Sequence, residues 1–173
     1  GTTNFLYGFP AYAVSIAIEF EGDTVVGVVH DVSRGETFAA AKGRGATLDG
    51  RSIRTSDKDD LATALIGTGF GYSTERRRNQ AALVASVLPQ IRDIRRAGSA
   101  ALDLCFVACG RLDGYFEQGI QHWDHAAGAL IVREAGGVTG WVVGESPLLE
   151  PPVLLAAGPA LFAPLAELLR AGE

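Results

Sequence analysis

Several stretches of this 173-residue chain place oxygen atoms and backbone N–H groups where they could do chemistry. Asp124 stands just ahead of a run in which Ala127, Leu130, Ile131 and Ala135 recur at helical spacing, and Gly136 and Gly137 end that run. An acid at a helix start faces the positive end of the macrodipole and the free N–H groups there. Asp124 is therefore either a helix cap or a carboxylate aimed into a cleft. Glu117 lies a little upstream, at the end of a strand predicted over 112–117. A strand end and the next helix start share one edge of an α/β sheet, which is where ligands bind. Two acids converging there suit a divalent cation or a polyol.

Two further helix starts carry no acid. Gly1-Thr2-Thr3 precedes Phe5, Leu6 and Phe9, and Pro10 ends the segment. Gly98-Ser99-Ala100 opens a helix predicted to run to about residue 110. Free N–H groups at helix starts bind anions, although composition alone reads residues 1–5 as a plain tail.

Other chemistries fit less well. Arg76, Arg77 and Arg78, in the first turns of an exposed helix, read as a solvated face rather than a nucleic-acid patch. His122, Asp124 and His125 lack the i, i+4 spacing and the third soft ligand of a helical zinc site. Ser99 has no Gly-x-Ser-x-Gly elbow around it, and no phosphate-binding loop ending in Gly-Lys occurs. Cys105 and Cys109 fall on one apolar helical stretch and read as core thiols in a reducing compartment, the cytoplasm. What remains is Asp124, Glu117 and the two open helix starts. Carboxylate oxygens suit Mg²⁺, and the set together fits metal-assisted hydrolysis of a phosphate ester.

The elements that must position these groups follow from pattern. Residues 12–21 alternate, with Val14, Ile16, Ile18 and Phe20 on one side and Ala13, Ser15, Ala17 and Glu19 on the other. Turns at Glu21-Gly22-Asp23, Ser33-Arg34-Gly35-Glu36 and Asp49-Gly50 predict an antiparallel meander over 1–55. From 60 to 173 the rhythm changes to strand, helix, strand, which predicts a C-terminal α/β lobe. Within it, Ser73 or Thr74 caps a helix to about residue 88. Later strands fall at 138–143 and 153–156, followed by a final helix over 159–170. The net charge of −5 argues against a nucleic-acid surface, and no apolar run reaches membrane-spanning length.

Trp123-Asp124-x-Ala126-Ala127-Gly128, running on to Glu134-Ala135-Gly136-Gly137, resembles the C-terminal signature of the inositol monophosphatase family. Gly1-Thr2-Thr3-Asn4-Phe5 is similar to the tail of that family's other signature, Asp-Pro-x-Asp-Gly-Thr-x-Asn-Phe. Gly98-Ser99-Ala100-Ala101 resembles its inositol-contacting Gly-Thr-Ala-Ala segment, with Ser99 in place of Thr. The resemblance implies a layered αβαβα sugar-phosphatase-like fold, here without the N-terminal helices and first strands. It also implies a Mg²⁺-dependent, Li⁺-sensitive phosphomonoesterase, usually a homodimer, acting on inositol monophosphate. Relatives acting on fructose 1,6-bisphosphate, 3′-phosphoadenosine nucleotides or histidinol phosphate are the alternatives, as is a non-catalytic RNA-associated dimer on the same fold.

By that resemblance Asp124 is a metal ligand near the substrate hydroxyls, and Gly1 and Thr2 offer N–H groups to the phosphate. The Thr2 hydroxyl orients the attacking water. Gly98, Ser99 and Ala100 contact the ring, and Glu117 accepts hydrogen bonds from its hydroxyls. A nucleotide or bisphosphate reader would want cations near the ring site, for which Arg95 and Arg96 are the nearby candidates, with a subunit interface as their alternative place. The family's other acidic ligands belong ahead of Gly1. The chain is thus expected to be the C-terminal portion of a longer enzyme, and inactive by itself.

Overall fold

The computed structural model of the chain describes residues 1–144 and 147–171. A short helix α1 (Thr2–Tyr7) leads into β1 (Ala13–Phe20), β2 (Asp23–Asp31), β3 (Glu36–Ala41), β4 (Ala46–Leu48) and β5 (Arg51–Ser52). These pair antiparallel in sequence order, as the meander predicts. Two of its hairpins turn where consecutive residues take positive φ, Glu21 and Gly22 at 52° and 86°, and Asp49 and Gly50 at 49° and 78°. That is the backbone twist a tight hairpin needs.

The second part runs β6 (Leu65–Thr68), α2 (Thr74–Val87), β7 (Asp93–Arg95), α3 (Ala100–Ala108), β8 (Gly114–Gln118), α4 (His122–Glu134), β9 (Val138–Val142), β10 (Val153–Ala157) and α5 (Pro159–Ala171). Its sheet has the order β7-β6-β8-β10-β9. Strand β6 is parallel to β7 and β8, while β10 is antiparallel to β8 and β9. The parallel pairing puts the carboxyl ends of β6 and β8 at one edge.

Helices α3 and α4 lie between the two sheets. Val29 and Phe38 of the meander meet Leu102, Leu104, Ile131 and Tyr115 in one core. On the far face of the second sheet, Ile66, Phe116 and Leu155 pack against Leu83 and Val87 of α2 and Leu161 and Leu165 of α5. The order is sheet, helices, sheet, helices, the mixed α/β layering that the sequence predicts. Residues 126–132 of α4 are all buried, because this helix touches a sheet on one side and α3 on the other. Gly27 on β2 permits the approach; a Cβ there would sit 2.7 Å from the Ala127 carbonyl oxygen.

The apolar side of β1 is the open one. Val14, Ile16, Ile18 and Phe20 are all more than half exposed, while Ala13 on the opposite side packs toward the core. The small residues face the helices because only small residues let α4 lie so near. Among the described residues no helix is long and apolar enough to cross a membrane.

Candidate active site

A cleft of about 150 Å³ opens at the carboxyl ends of β6 and β8. It is lined by Gly1 at the start of α1, Gly69, Phe70, Gly71 and Tyr72 after β6, and Arg76 of α2. Arg96, Gly98, Ser99 and Ala100 line it at the entry to α3, and Glu117 to Ile120 and Asp124 line it between β8 and α4. Six of the seven residues singled out from sequence share this one space. Thr2 does not; it lines an adjoining hollow with Gly1, Phe5, Tyr12 and Ala13. The larger hollow of about 470 Å³, between Arg34, Glu36, Arg95, Asp103, Phe106 and Arg111, holds none of them.

Asp124 does not begin its helix. Gln121 is the N-cap, and Asp124 is the third residue inside. Its Oδ2 accepts a hydrogen bond of 2.8 Å from the Gln121 N–H, so one oxygen serves the helix end. The cap reading holds, and Asp124 also stands half-buried on the cleft wall, with no hydrogen bond to Oδ1 among the described residues.

Glu117 is half-buried, and its carboxylate accepts a short hydrogen bond from the Tyr115 hydroxyl. Tyr115 is fully buried. Burial raises the pKa of Glu117 above the usual carboxylate range, against the lowering effect of the Tyr115 bond and the Arg96 charge. Gly69 makes room for this carboxylate, since a Cβ at that position would overlap it.

Asn4 joins the start of α1 to the entry of α3. It is buried, and its Nδ2 donates to the carbonyls of Ala11 at 2.7 Å and Ala97 at 2.8 Å. Gly98 takes φ +87° against this side chain; a Cβ would meet Asn4 Nδ2 at 3.0 Å and Arg96 Nη1 at 2.6 Å. Only glycine accepts both the conformation and the crowding. Ser99 is buried and caps α3 by position, but its side chain makes no capping hydrogen bond. The hydroxyl is thus not spent on the helix.

The cations are arranged differently from the sequence reading. Arg96 lines the cleft, with its guanidinium 5.9 Å from the centre of the Phe70 ring. Arg95 faces the larger hollow and pairs with Asp93 at 2.6 Å. Arg76, read as part of a solvated face, lines the cleft instead, while Arg77 is exposed and donates to the Tyr72 carbonyl at 2.8 Å. The histidines stay outside. His122 pairs with Glu19 at 2.5 Å, and the His125 ring lies 5.5 Å from that of Trp141. Both cysteines are free thiols; Cys105 is buried and Cys109 half-buried.

The sequence missed Asn4, Gly69, Tyr115 and Arg76 as parts of the site. Asn4 had a signal, its place beside Gly1 and Thr2 in a motif. Gly69 and Arg76 meet Glu117 and Gly119 from more than 40 positions away, and Tyr115, two positions from Glu117, reads from sequence as an ordinary strand residue.

Among the described residues no three His, Cys, Asp or Glu side chains gather to hold a metal. Asp124 offers one oxygen, and Glu117 is engaged by Tyr115. A hard divalent cation takes six or more oxygen ligands, several of them waters. The residues present do not make a Mg²⁺ site by themselves.

A mixed two-sheet α/β fold with this cleft at its strand ends defines a sugar-phosphatase-like class. A sequence profile of the inositol monophosphatase family matches residues 1–172, and the chain belongs to that family. It is 57% identical over 140 residues to the inositol-1-monophosphatase SuhB of Mycobacterium tuberculosis strain H37Rv, covering 79% of this chain and 48% of that one. It is 48% identical over 162 residues to the Nus factor SuhB of Pasteurella multocida, covering 93% of this chain and 61% of that one. The solved structure of Mycobacterium tuberculosis SuhB superposes with a TM-score of 0.90 at 47% identity, covering 100% of this chain and 69% of the other. Inositol monophosphatase from Anabaena superposes at 0.89 with 39% identity, covering 98% and 68%. The chain spans about half the length of the mycobacterial curated relatives it matches.

Proposed function

We propose that this chain is the C-terminal part of a Mg²⁺-dependent phosphomonoesterase acting on myo-inositol 1-phosphate or a similar polyol phosphate. One observation carries the reading: Gly1, Gly98, Ser99, Ala100, Glu117 and Asp124, from three separate parts of the sequence, line one cleft. In this reading Asp124 contributes a metal ligand, and the remaining carboxylates come from the length of the relatives that this chain does not span. Mg²⁺, when bound, would polarise the ester.

The chain's own groups do the rest. The N–H groups of Gly1 and Thr2 hold phosphate oxygens at the start of α1. The Thr2 hydroxyl, which lines the hollow adjoining the cleft, would orient the water that attacks phosphorus. Gly98, Ser99 and Ala100 face the ring, and Glu117 accepts from its hydroxyls. The rigid mounting of these groups by Asn4 and Tyr115 keeps the alcohol in line for departure.

The test is phosphate release from myo-inositol 1-phosphate by the full-length protein with and without Mg²⁺. Asp124→Asn should lower kcat/KM by about a thousandfold, roughly 4 kcal/mol of transition-state stabilisation. Undiminished turnover in that variant, or turnover indifferent to chelator, would sink the reading.

A homodimer in the cytoplasm completes the proposal, the free Cys105 and Cys109 suiting a reducing compartment. Sedimentation of the full-length protein tests the dimer. A second reading rests on the relatives named Nus factor, such as that of Pasteurella multocida: a dimeric, RNA-associated regulatory protein. Salt-dependent RNA binding without Mg²⁺-dependent turnover would favour it over the first.

A further inference from the structure

Asp103 is an acid to which the phosphatase reading gives no task. It lies on α3 behind the cleft, 1% exposed, and neither of its carboxylate oxygens has a hydrogen-bond partner among the described residues. Its neighbours belong to the cleft wall. A Cβ on Gly67 of β6 would stand 3.6 Å from Asp103 Oδ1 and 3.3 Å from Tyr115 Cδ2, so the carboxyl and the Tyr115 ring crowd the same spot. The Tyr115 hydroxyl in turn donates to Glu117, which lines the cleft. Arg96, also on the cleft wall, acts through its charge on both acids, and the Glu117 charge acts on Asp103.

Two acids and one cation thus share the space behind the wall. Glu117 is supported as an anion by the Tyr115 hydroxyl and by its half-buried place on the cleft, whereas Asp103 has neither. A proton shared between the two therefore rests on Asp103. The other groups around it do not take its place. The Ser99 N–H faces the carboxyl without reaching hydrogen-bonding geometry. Cys105, on the same helix, stays a neutral thiol because burial pushes its pKa up. Asp103 also lines the larger hollow, but Arg34, Arg95 and Arg111 there pair with Asp31, Asp93 and Glu36. From α4, the Asp124 charge reaches Tyr115 and Glu117.

We infer that Asp103 is a positioning residue for the reaction: its proton leaves the Arg96 charge to Glu117, which then meets the substrate hydroxyls as an anion, and loss of that proton weakens substrate binding. With the proton in place, the positive Arg96 and the negative Glu117 cancel. An ionised Asp103 leaves one negative charge over, beside a site that takes a phosphate ester of the same sign, and draws Arg96 away from Glu117. This rests on the phosphatase reading above.

The test follows kcat and KM of the full-length protein for myo-inositol 1-phosphate, at saturating Mg²⁺, across pH 8, where burial first and the Glu117 charge second place the Asp103 pKa, at about 8. Wild-type KM should rise about threefold or more through this range, with the change in KM rather than kcat. Asp103→Asn, which cannot ionise, should hold KM level. A second readout follows the proton itself: with isotopically labelled aspartate carboxyls, one NMR resonance should titrate in step with KM and be missing from the variant. A KM rise that persists in Asp103→Asn overturns the proposal. So does the lack of any aspartate resonance titrating near pH 8 in wild type, which decides the matter even if the variant fails to fold. Absence of turnover by wild type at every pH would instead sink the phosphatase reading, and this inference with it.

Discussion

Asp103 is a charged residue in the middle of an apolar helix, 1% exposed, and neither of its carboxylate oxygens has a hydrogen-bond partner among the described residues. Burial, and then the nearby Glu117 carboxylate, push its pKa from 3.8 to about 8. The folded chain keeps this proton up to about pH 8, whereas the unfolded chain releases it near 3.8. The unfolded state therefore binds fewer protons across that window, and folding weakens as pH rises through it. Asp103→Asn supplies a neutral side chain of the same shape. It should leave stability near pH 4 little changed and raise it by a few kcal/mol at pH 8. Urea unfolding at the two pH values checks this; an equal shift at both would mean that ionisation is not the cause. Asn4 makes the opposite case, a buried polar group with its bonds made. Asn4→Ala leaves two carbonyls without their donor and should cost about 1–3 kcal/mol. It should also raise KM, because the start of α1 and the Gly98 loop lose their tie. At this scale the sequence shows the acids, whose type and spacing are chemical signals in themselves. It does not show Asn4 reaching Ala97, 93 positions away, since nothing local marks the partner.

Elements were more legible than their neighbours. Alternation predicts β1, and paired turn residues predict the meander, because both are written in consecutive side chains. The order β8-β10-β9 is not written that way; which strands pair depends on how α4 crosses over them. The same helix explains why the open side of β1 is the bulky one. α4 touches the meander through Ala127 against Gly27, so the inner face must be small. Gly27→Val would place methyl groups where the Ala127 backbone runs and force helix and sheet apart. It should destabilise the fold by about 1–3 kcal/mol, measured by thermal or urea unfolding. Because α4 also carries Asp124, the variant should lose activity beyond what its unfolded fraction explains. Full activity in the folded fraction would show that the site does not depend on this packing.

The four layers leave the outer face of the meander bare. Val14, Ile16, Ile18 and Phe20 stand exposed on β1, which is also the edge strand, and Val26, Val28 and Ala39 continue the apolar surface from β2 and β3. Contiguous apolar surface of this kind marks an interaction face or an aggregation hazard, and an unpaired edge beside it adds to the hazard. The mycobacterial relatives are about twice the length of the matched region, and a cover for this face is what we expect the added length to supply. Residues 1–173 produced alone should then bind a hydrophobic dye and self-associate in a concentration-dependent way. Ile16→Lys with Ile18→Lys should suppress both without lowering the unfolding midpoint, since neither side chain is in the core. The same polypeptide should neither bind Mg²⁺ tightly nor hydrolyse myo-inositol 1-phosphate, because one carboxylate oxygen cannot replace a set of them. A monodisperse, dye-silent chain would show that the face needs no cover. Mg²⁺-dependent turnover by it would show that Asp124 and the α1 start suffice for catalysis.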